Sequence, residues 1–303
     1  MKKILLLGAA NLIFCTLSLA QQDPLYSQYI LNPMVINPAY AGLNNNLNAS
    51  ISYRTQWGGF DGNPTTINVN GHMSLVDNKV GAGLLIVQDK IGNVTNTEFQ
   101  AAGSYKLQLE EMTFSFGMQA GVINFRSDNS KLNLRDPNDD AFGQNDNVSK
   151  PNIGAGAILK SERFFVGLSV PRLLSTSFKG SQGQEFDLYD QHFYLLGGYI
   201  FNMGTRLRLR PSVLLKSVKG SPLSTDLNFM VNIDQLYSAG LFTRNFNTYG
   251  VQLQALLKDT FRLGYTFEIP TANSVGTQFN THEILLGVKL SVLNFHDRSI
   301  SNF

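Results

Sequence analysis

Two-residue alternation, repeated in segment after segment, most constrains what this chain can fold into. In 261–269, Phe261, Leu263, Tyr265, Phe267 and Ile269 alternate with Arg262, Gly264, Thr266 and Glu268. In 249–258, Tyr249, Val251, Leu253, Ala255 and Leu257 oppose Gly250, Gln252, Gln254, Leu256 and Lys258. In 206–216, Leu207, Leu209, Pro211, Val213 and Leu215 oppose Arg206, Arg208, Arg210, Ser212, Leu214 and Lys216. The last such segment sets Ile284, Leu286, Val288, Leu290 and Val292 against Glu283, Leu285, Gly287, Lys289 and Ser291. A helix would scatter these charges around its circumference, whereas a strand gathers them on one face. The pattern predicts about 14 strands: 47–56, 64–76, 79–88, 94–108, 112–125, 150–160, 163–170, 189–201, 205–218, 223–233, 236–244, 248–257, 260–269 and 282–292.

Composition says what such strands face. Charged residues make up 15% of the chain, against about 25% in an average soluble protein. After the first 20 residues no apolar run approaches the ~20 residues of a membrane helix. The longest, such as Leu84-Leu85-Ile86-Val87, are strand-sized. A lipid-facing wall without helices must close into a barrel, because hydrocarbon cannot satisfy open backbone edges. The expected fold is therefore all-β, a transmembrane antiparallel β-barrel in an outer membrane.

The connections agree. Every second one is tiny: Asp77-Asn78, Glu110-Glu111, Ser161-Glu162, Asn202-Met203-Gly204, Asp234-Gln235 and Lys258-Asp259. The intervening set includes all the long ones: 57–63, 126–149, 171–188, 219–222 and 270–281. Short turns at one mouth and long loops at the other are the habit of outer-membrane barrels. With short turns periplasmic, both termini are periplasmic. Tyr53, Phe99, Tyr105, Phe114, Phe125, Phe164, Tyr189, Tyr199, Phe242, Tyr249 and Phe261 recur near strand ends, as interfacial girdles require.

Residues 1–20 read as a signal peptide: Lys2 and Lys3, an apolar stretch from Ile4 to Phe14, and a Ser18-Leu19-Ala20 cleavage site. Cys15, the only cysteine, lies within it, and the bulky Phe14 before it argues against lipidation. Without residues 1–20 the chain carries 22 basic against 22 acidic residues. That balance excludes a nucleic-acid binder, which needs surplus positive charge. Residues 21–46 are rich in Pro and Asn and lack alternation, so they are expected in the periplasm or folded into the lumen as a plug. The barrel is expected over 47–292, followed by a periplasmic tail, 293–303.

The residues that could carry chemistry do not assemble into a catalytic pattern. His72, His192, His282 and His296 are far apart, and His282-Glu283 lacks the second histidine of a zinc-protease motif. Asp136, Asn138 and Asp140 have calcium-loop spacing, but Ala141 replaces the required Gly and no Glu follows. A solvated acidic loop, with Asp128, Asp139 and Asp146, fits better. No catalytic residue, cofactor or metal site is expected. Arg206, Arg208 and Arg210 share one face and would each cost about 2–4 kcal/mol facing lipid at mid-depth, so they are expected in the lumen. With Asp226, Arg262, Glu268, Glu283 and Lys289 they form an expected lumen charge network. Bracing suits the mixed signs better than an anion-selectivity ring.

Three motifs resemble a known family. The first is Gln22-Asp23-Pro24-Leu25-Tyr26-Ser27-Gln28-Tyr29, with Asn32-Pro33 and Asn37-Pro38-Ala39-Tyr40-Ala41-Gly42. The second is Tyr53-Arg54-Thr55-Gln56-Trp57, leading to Phe60-Asp61-Gly62 and Pro64. The third is Thr281-His282-Glu283-Ile284-Leu285-Leu286. Together they resemble the PorP/SprF family of the type IX secretion and gliding system of Bacteroidota. The resemblance implies an outer-membrane barrel that works with other secretion components to export or hold large adhesin-like clients bearing a C-terminal sorting domain. It brings no catalytic residues, and implies structural or docking roles for the matched positions. Two rival readings are a FadL-like transporter of hydrophobic compounds, which also carries an Asn-Pro-Ala motif and a plug, and a diffusion porin.

Overall fold

The structure, a computed structural model, describes residues 27–131, 145–179, 185–271 and 279–291. The expected signal peptide, Asp23 and Pro24, the loop residues Asp136, Asn138, Asp139 and Asp140, His296 and the 293–303 tail lie outside these residues.

The strands are β1 (Leu47–Thr55), β2 (Thr65–Leu75), β3 (Val80–Ile91), β4 (Val94–Gln108), β5 (Met112–Ser127), β6 (Asp146–Ser161), β7 (Phe164–Val170), β8 (Thr176–Lys179), β9 (Glu185–Tyr189), β10 (His192–Tyr199), β11 (Phe201–Met203), β12 (Leu207–Val218), β13 (Ser224–Ile233), β14 (Tyr237–Arg244), β15 (Thr248–Leu257), β16 (Phe261–Pro270) and β17 (Thr281–Leu290). Each barrel strand pairs antiparallel with its chain neighbours, β1 pairs with β17, and β10 pairs with β7 and β12. The sheet is thus closed, with 14 strands when β10 and β11 count as one. Those two keep one register against β12: Gly198 faces Ser212 and Phe201 faces Leu209. Their pairing with β12 lapses at Tyr199 and Ile200, opposite Pro211 and Arg210, and Pro211 has no N–H to give the ladder.

The short connections are hairpin turns. Asp234-Gln235 (φ 51° and 62°) and Lys258-Asp259 (φ 51° and 55°) hold both central residues left-handed, as two-residue hairpins that follow the strand twist demand. The long-loop mouth departs from expectation. β6 begins at Asp146 rather than 150, and the predicted loop 171–188 contains the β8–β9 hairpin. At the same mouth, β3 and β4 are joined by only Gly92-Asn93.

The wall is polar inside and apolar outside. Leu84, Phe116 and Leu241 are exposed on its outer face, while Gln100, Ser115 and Lys160 are wholly buried. Lipid takes the place that a second sheet would occupy in a soluble protein. Tyr53 and Tyr249 lie near one rim, and Tyr105, Tyr199 and Phe261 near the other, all exposed. Phe242 departs from the girdle: it points inward and its ring covers Gly250.

The apolar core lies within the lumen. Residues 27–46 run inside the barrel as three short 3-10 helices, Gln28–Ile30, Pro33–Val35 and Pro38–Tyr40. Their Tyr29, Ile30, Leu31, Met34, Ile36, Tyr40 and Leu43 pack against wall residues including Leu85, Val87, Ile158, Phe165, Leu196, Leu214 and Met230. Burial of about this much side chain on both sides stabilises a lumen that polar residues alone would leave wet.

Candidate functional site

The inner segment is shaped by its own sequence and then fixed to the wall. Asn37 precedes Pro38, whose fixed φ starts a helical turn without needing a donor. The Asn37 Oδ1 accepts from Ala39 N at 2.9 Å. Its Nδ2 donates to Leu168 O at 3.1 Å and to Ala157 O at 3.3 Å, tying the turn to β7 and β6. Asn32 precedes Pro33 in the same way but makes no side-chain cap. Ala39 and Ala41 are fully buried because the wall comes that close. A Cβ on Gly81 would lie 2.0 Å from Ala41 O, and one on Gly117 2.5 Å from Ala39 N. Gly42 is left-handed (φ 59°) and lies against Met73 O; its N–H donates to His72 Nδ1 at 3.2 Å. Tyr40 meets His72 edge-on, and its hydroxyl accepts from Asn44.

Residues from all three sequence motifs converge at the long-loop half of the lumen. Arg54 Nη1 donates to Ser27 Oγ at 2.9 Å and to Glu268 Oε1 at 2.8 Å; Nη2 reaches Glu268 Oε2 at 3.1 Å. Ser27 N donates to Glu283 Oε2 at 3.0 Å, and Ser27 O accepts from Gln252 Nε2. Glu283 lies 3.9 Å from Arg54. Arg244 pairs with Asp226 at 3.1 Å and lies 4.0 Å from Glu268. Asn228 donates to the Tyr29 hydroxyl at 2.8 Å. All five charged side chains are at least nine-tenths buried. The fork-to-carboxylate geometry makes such a pair structurally specific. Gln28 opens the first 3-10 helix; Gln56 and Trp57 stand at the rim, where Trp57 (φ 55°) donates its N–H to Thr281 Oγ1.

The short-turn half is different. Lys106 donates to Gly42 O, Ser74 Oγ and Asn78 Oδ1, and Lys160 to Leu43 O. Arg262 donates to Leu31 O at 3.2 Å. Lys289 is half-buried beside the Thr260 turn.

The expected lumen network is thus split in two. Asp226, Glu268 and Glu283 join Arg54 and Arg244; Arg208, Arg210, Arg262 and Lys289 lie near the other mouth. Arg206 does not belong to it. It sits in the turn before β12, its side chain exposed, paired with Asp234. The strand whose alternation placed it inward begins one residue later, at Leu207. The Arg206 guanidinium holds the Asp234 carboxyl below its ordinary range. Sequence reading missed Arg244, Lys106 and Lys160, although each follows the inward parity of its strand. It also missed the Glu98–Arg172 pair, which joins β4 to the loop after β7. Among the described residues no three His, Cys, Asp or Glu side chains could hold a metal ion.

The sequence matches the family described as type IX secretion system membrane protein PorP/SprF over residues 18–288. The chain belongs to this family. Solved barrels of other kinds resemble this PorP/SprF fold. CymD, a monoaromatic hydrocarbon channel, is 8% identical over 90% of this chain and 95% of its own, with a TM-score of 0.51. A deletion mutant of the TodX monoaromatic hydrocarbon channel is 9% identical over 85% and 94%, also at 0.51. The outer membrane protein Omp33 of Acinetobacter baumannii is 11% identical over 82% and 99%, at 0.47. At such identities the channels share the fold alone. No curated protein matches the PorP/SprF chain in sequence.

Proposed function

We propose that this PorP/SprF barrel is a non-catalytic outer-membrane partner of the type IX secretion system, helping to export or anchor particular large surface proteins that carry a C-terminal sorting domain. The long loops face the cell exterior and both ends of the barrel domain face the periplasm. The observation that carries the reading is the family match along 18–288 in a barrel whose lumen is occupied by its own segment 27–46. A lumen so filled suits a docking scaffold better than a conduit for an unfolded client. Passage of hydrocarbons, as in the monoaromatic hydrocarbon channels CymD and TodX, needs an apolar lumen surface, and here the inward apolar residues are covered by the inner segment.

The test is quantitative proteomics of the cell surface and medium with and without the gene. Loss of one or a few large sorting-domain proteins from the surface, with other cargo unchanged, is the expected result. Unchanged surface cargo would overturn the reading. A second arm deletes residues 23–42 while heat-modifiable gel migration checks barrel assembly. Blocked export from an assembled barrel identifies the inner segment as a partner contact; normal export removes that role from it.

A further inference from the structure

The buried lumen charges of the Arg54 cluster are of both signs, two guanidiniums among three carboxylates, and those near the short-turn mouth are not. At the long-loop half every buried carboxylate of the Arg54 cluster faces a guanidinium. Near the short-turn mouth, Arg208 and Arg210 on β12 and Arg262 on β16 line one cavity of about 30 Å³. Arg210 is 3% exposed. Among the described residues its guanidinium makes one hydrogen bond, from Nη2 to the weak acceptor Sδ of Met230 at 3.0 Å, and its buried Nε has no partner. The Nε of Arg262 is likewise buried and unpartnered. Among the described residues neither arginine has a carboxylate within ion-pair distance, whereas Arg54, Arg172, Arg206 and Arg244 each have one. Buried charges without a counter-charge are unfavourable, and here two share one cavity.

We propose that this cavity is a binding site for a single oxyanion group, of phosphate or carboxylate type, that enters from the short-turn mouth. The size fits: the cavity holds about two to three water-sized groups. Guanidinium forks match the paired oxygens of both anions. Asn232, Ser238 and Gln254 line the same cavity and supply neutral donors around the charge. Gln235, in the exposed β13–β14 turn, forms its outer edge and marks the way in. The site lies apart from the Ser27 anchor and does not depend on the secretion role.

Isothermal titration of the purified full-length barrel in detergent, at fixed ionic strength in chloride, tests it with inorganic phosphate and with acetate. Saturable binding of one anion per barrel is expected. Tighter phosphate binding assigns a phosphate group, and tighter acetate binding a carboxylate. Arg210→Gln should weaken binding at least tenfold, and the half-exposed Arg208→Gln by less. Because the parent arginine is unpaired, Arg210→Gln should assemble at least as well as the parent by heat-modifiable migration. If it does not assemble, Arg208→Gln and Arg262→Gln carry the comparison. Absence of saturable binding of either anion, or parental affinity in every variant that assembles, overturns the proposal.

Discussion

The two halves of the lumen hold the same inner segment in opposite ways. At the long-loop half, the carboxylate of Glu283 accepts from the backbone N–H of Ser27, and Arg54 ties the Ser27 hydroxyl to Glu268. At the short-turn half, cations do the holding: Lys106, Lys160 and Arg262 donate to the carbonyls of Gly42, Leu43 and Leu31. One half sets two guanidiniums among three carboxylates. The other presents charge to neutral acceptors and has cations to spare. The difference teaches that polarity inside a barrel is not one property. Paired charges fix geometry at the cost of leaving a buried charge when one partner is removed, whereas a cation removed from a carbonyl leaves a neutral acceptor.

Breaking the paired half should give the largest effect. Arg54→Ala takes the guanidinium from Glu283 and leaves Glu268 only Arg244 at 4.0 Å, and chemical unfolding in detergent should show a loss of about 3–5 kcal/mol. An Arg54→Met, Glu268→Leu double variant should lose less than the single change; an equal or larger loss would mean that the buried pair stabilises the lumen outright. In the other half, Lys106→Met takes the side-chain donor from Gly42 O and one of the two donors from Asn78 Oδ1, which keeps the Ser74 hydroxyl. The same assay should read about 1–3 kcal/mol. A loss as large as that of Arg54→Ala would erase the distinction between the halves.

Asn37→Ala, between the two, removes the cap of the third 3-10 helix and both bonds to β6 and β7. About 1–2 kcal/mol is expected, with faster amide exchange in residues 37–43 while the barrel strands keep their protection. Unchanged exchange there would show that the apolar packing alone holds the turn. The smallest effect belongs to Arg206→Ala. Its pair with Asp234 is solvent-exposed, and such pairs contribute little, so the unfolding midpoint should not move. Any clear drop would return Arg206 to the braced network.

Local patterning carried much of the barrel into view. The inward and outward faces of β16 and β17, and the tight turns at Asp234-Gln235 and Lys258-Asp259, follow from a period of two punctuated by polar pairs. The regions that escaped it lack that signal. The first residues of β6, Asp146-Asn147-Val148-Ser149, hold one apolar side chain among three polar ones, so no alternation marks them as strand. The 3-10 helices of the inner segment are three residues each, too short to show a helical period.

Sequence alone also marked Ser27, Arg54 and Glu283 as members of three separate motifs, and gave them no reason to meet. Ser27 and Glu283 are 256 residues apart, and Arg54 and Glu268 are 214 apart. No local rule acts over such separations. Closure of β1 on β17 and the register of β16 with β17 bring the side chains together, and the inner segment, packed on glycines of the wall, delivers Ser27 between them. The sequence by itself determined which side of each strand is polar, because side chains alternate with every residue. Only the tertiary structure decided which polar groups become partners and which, like Arg210, are left facing a cavity, because ring closure and the path of the inner segment set those distances.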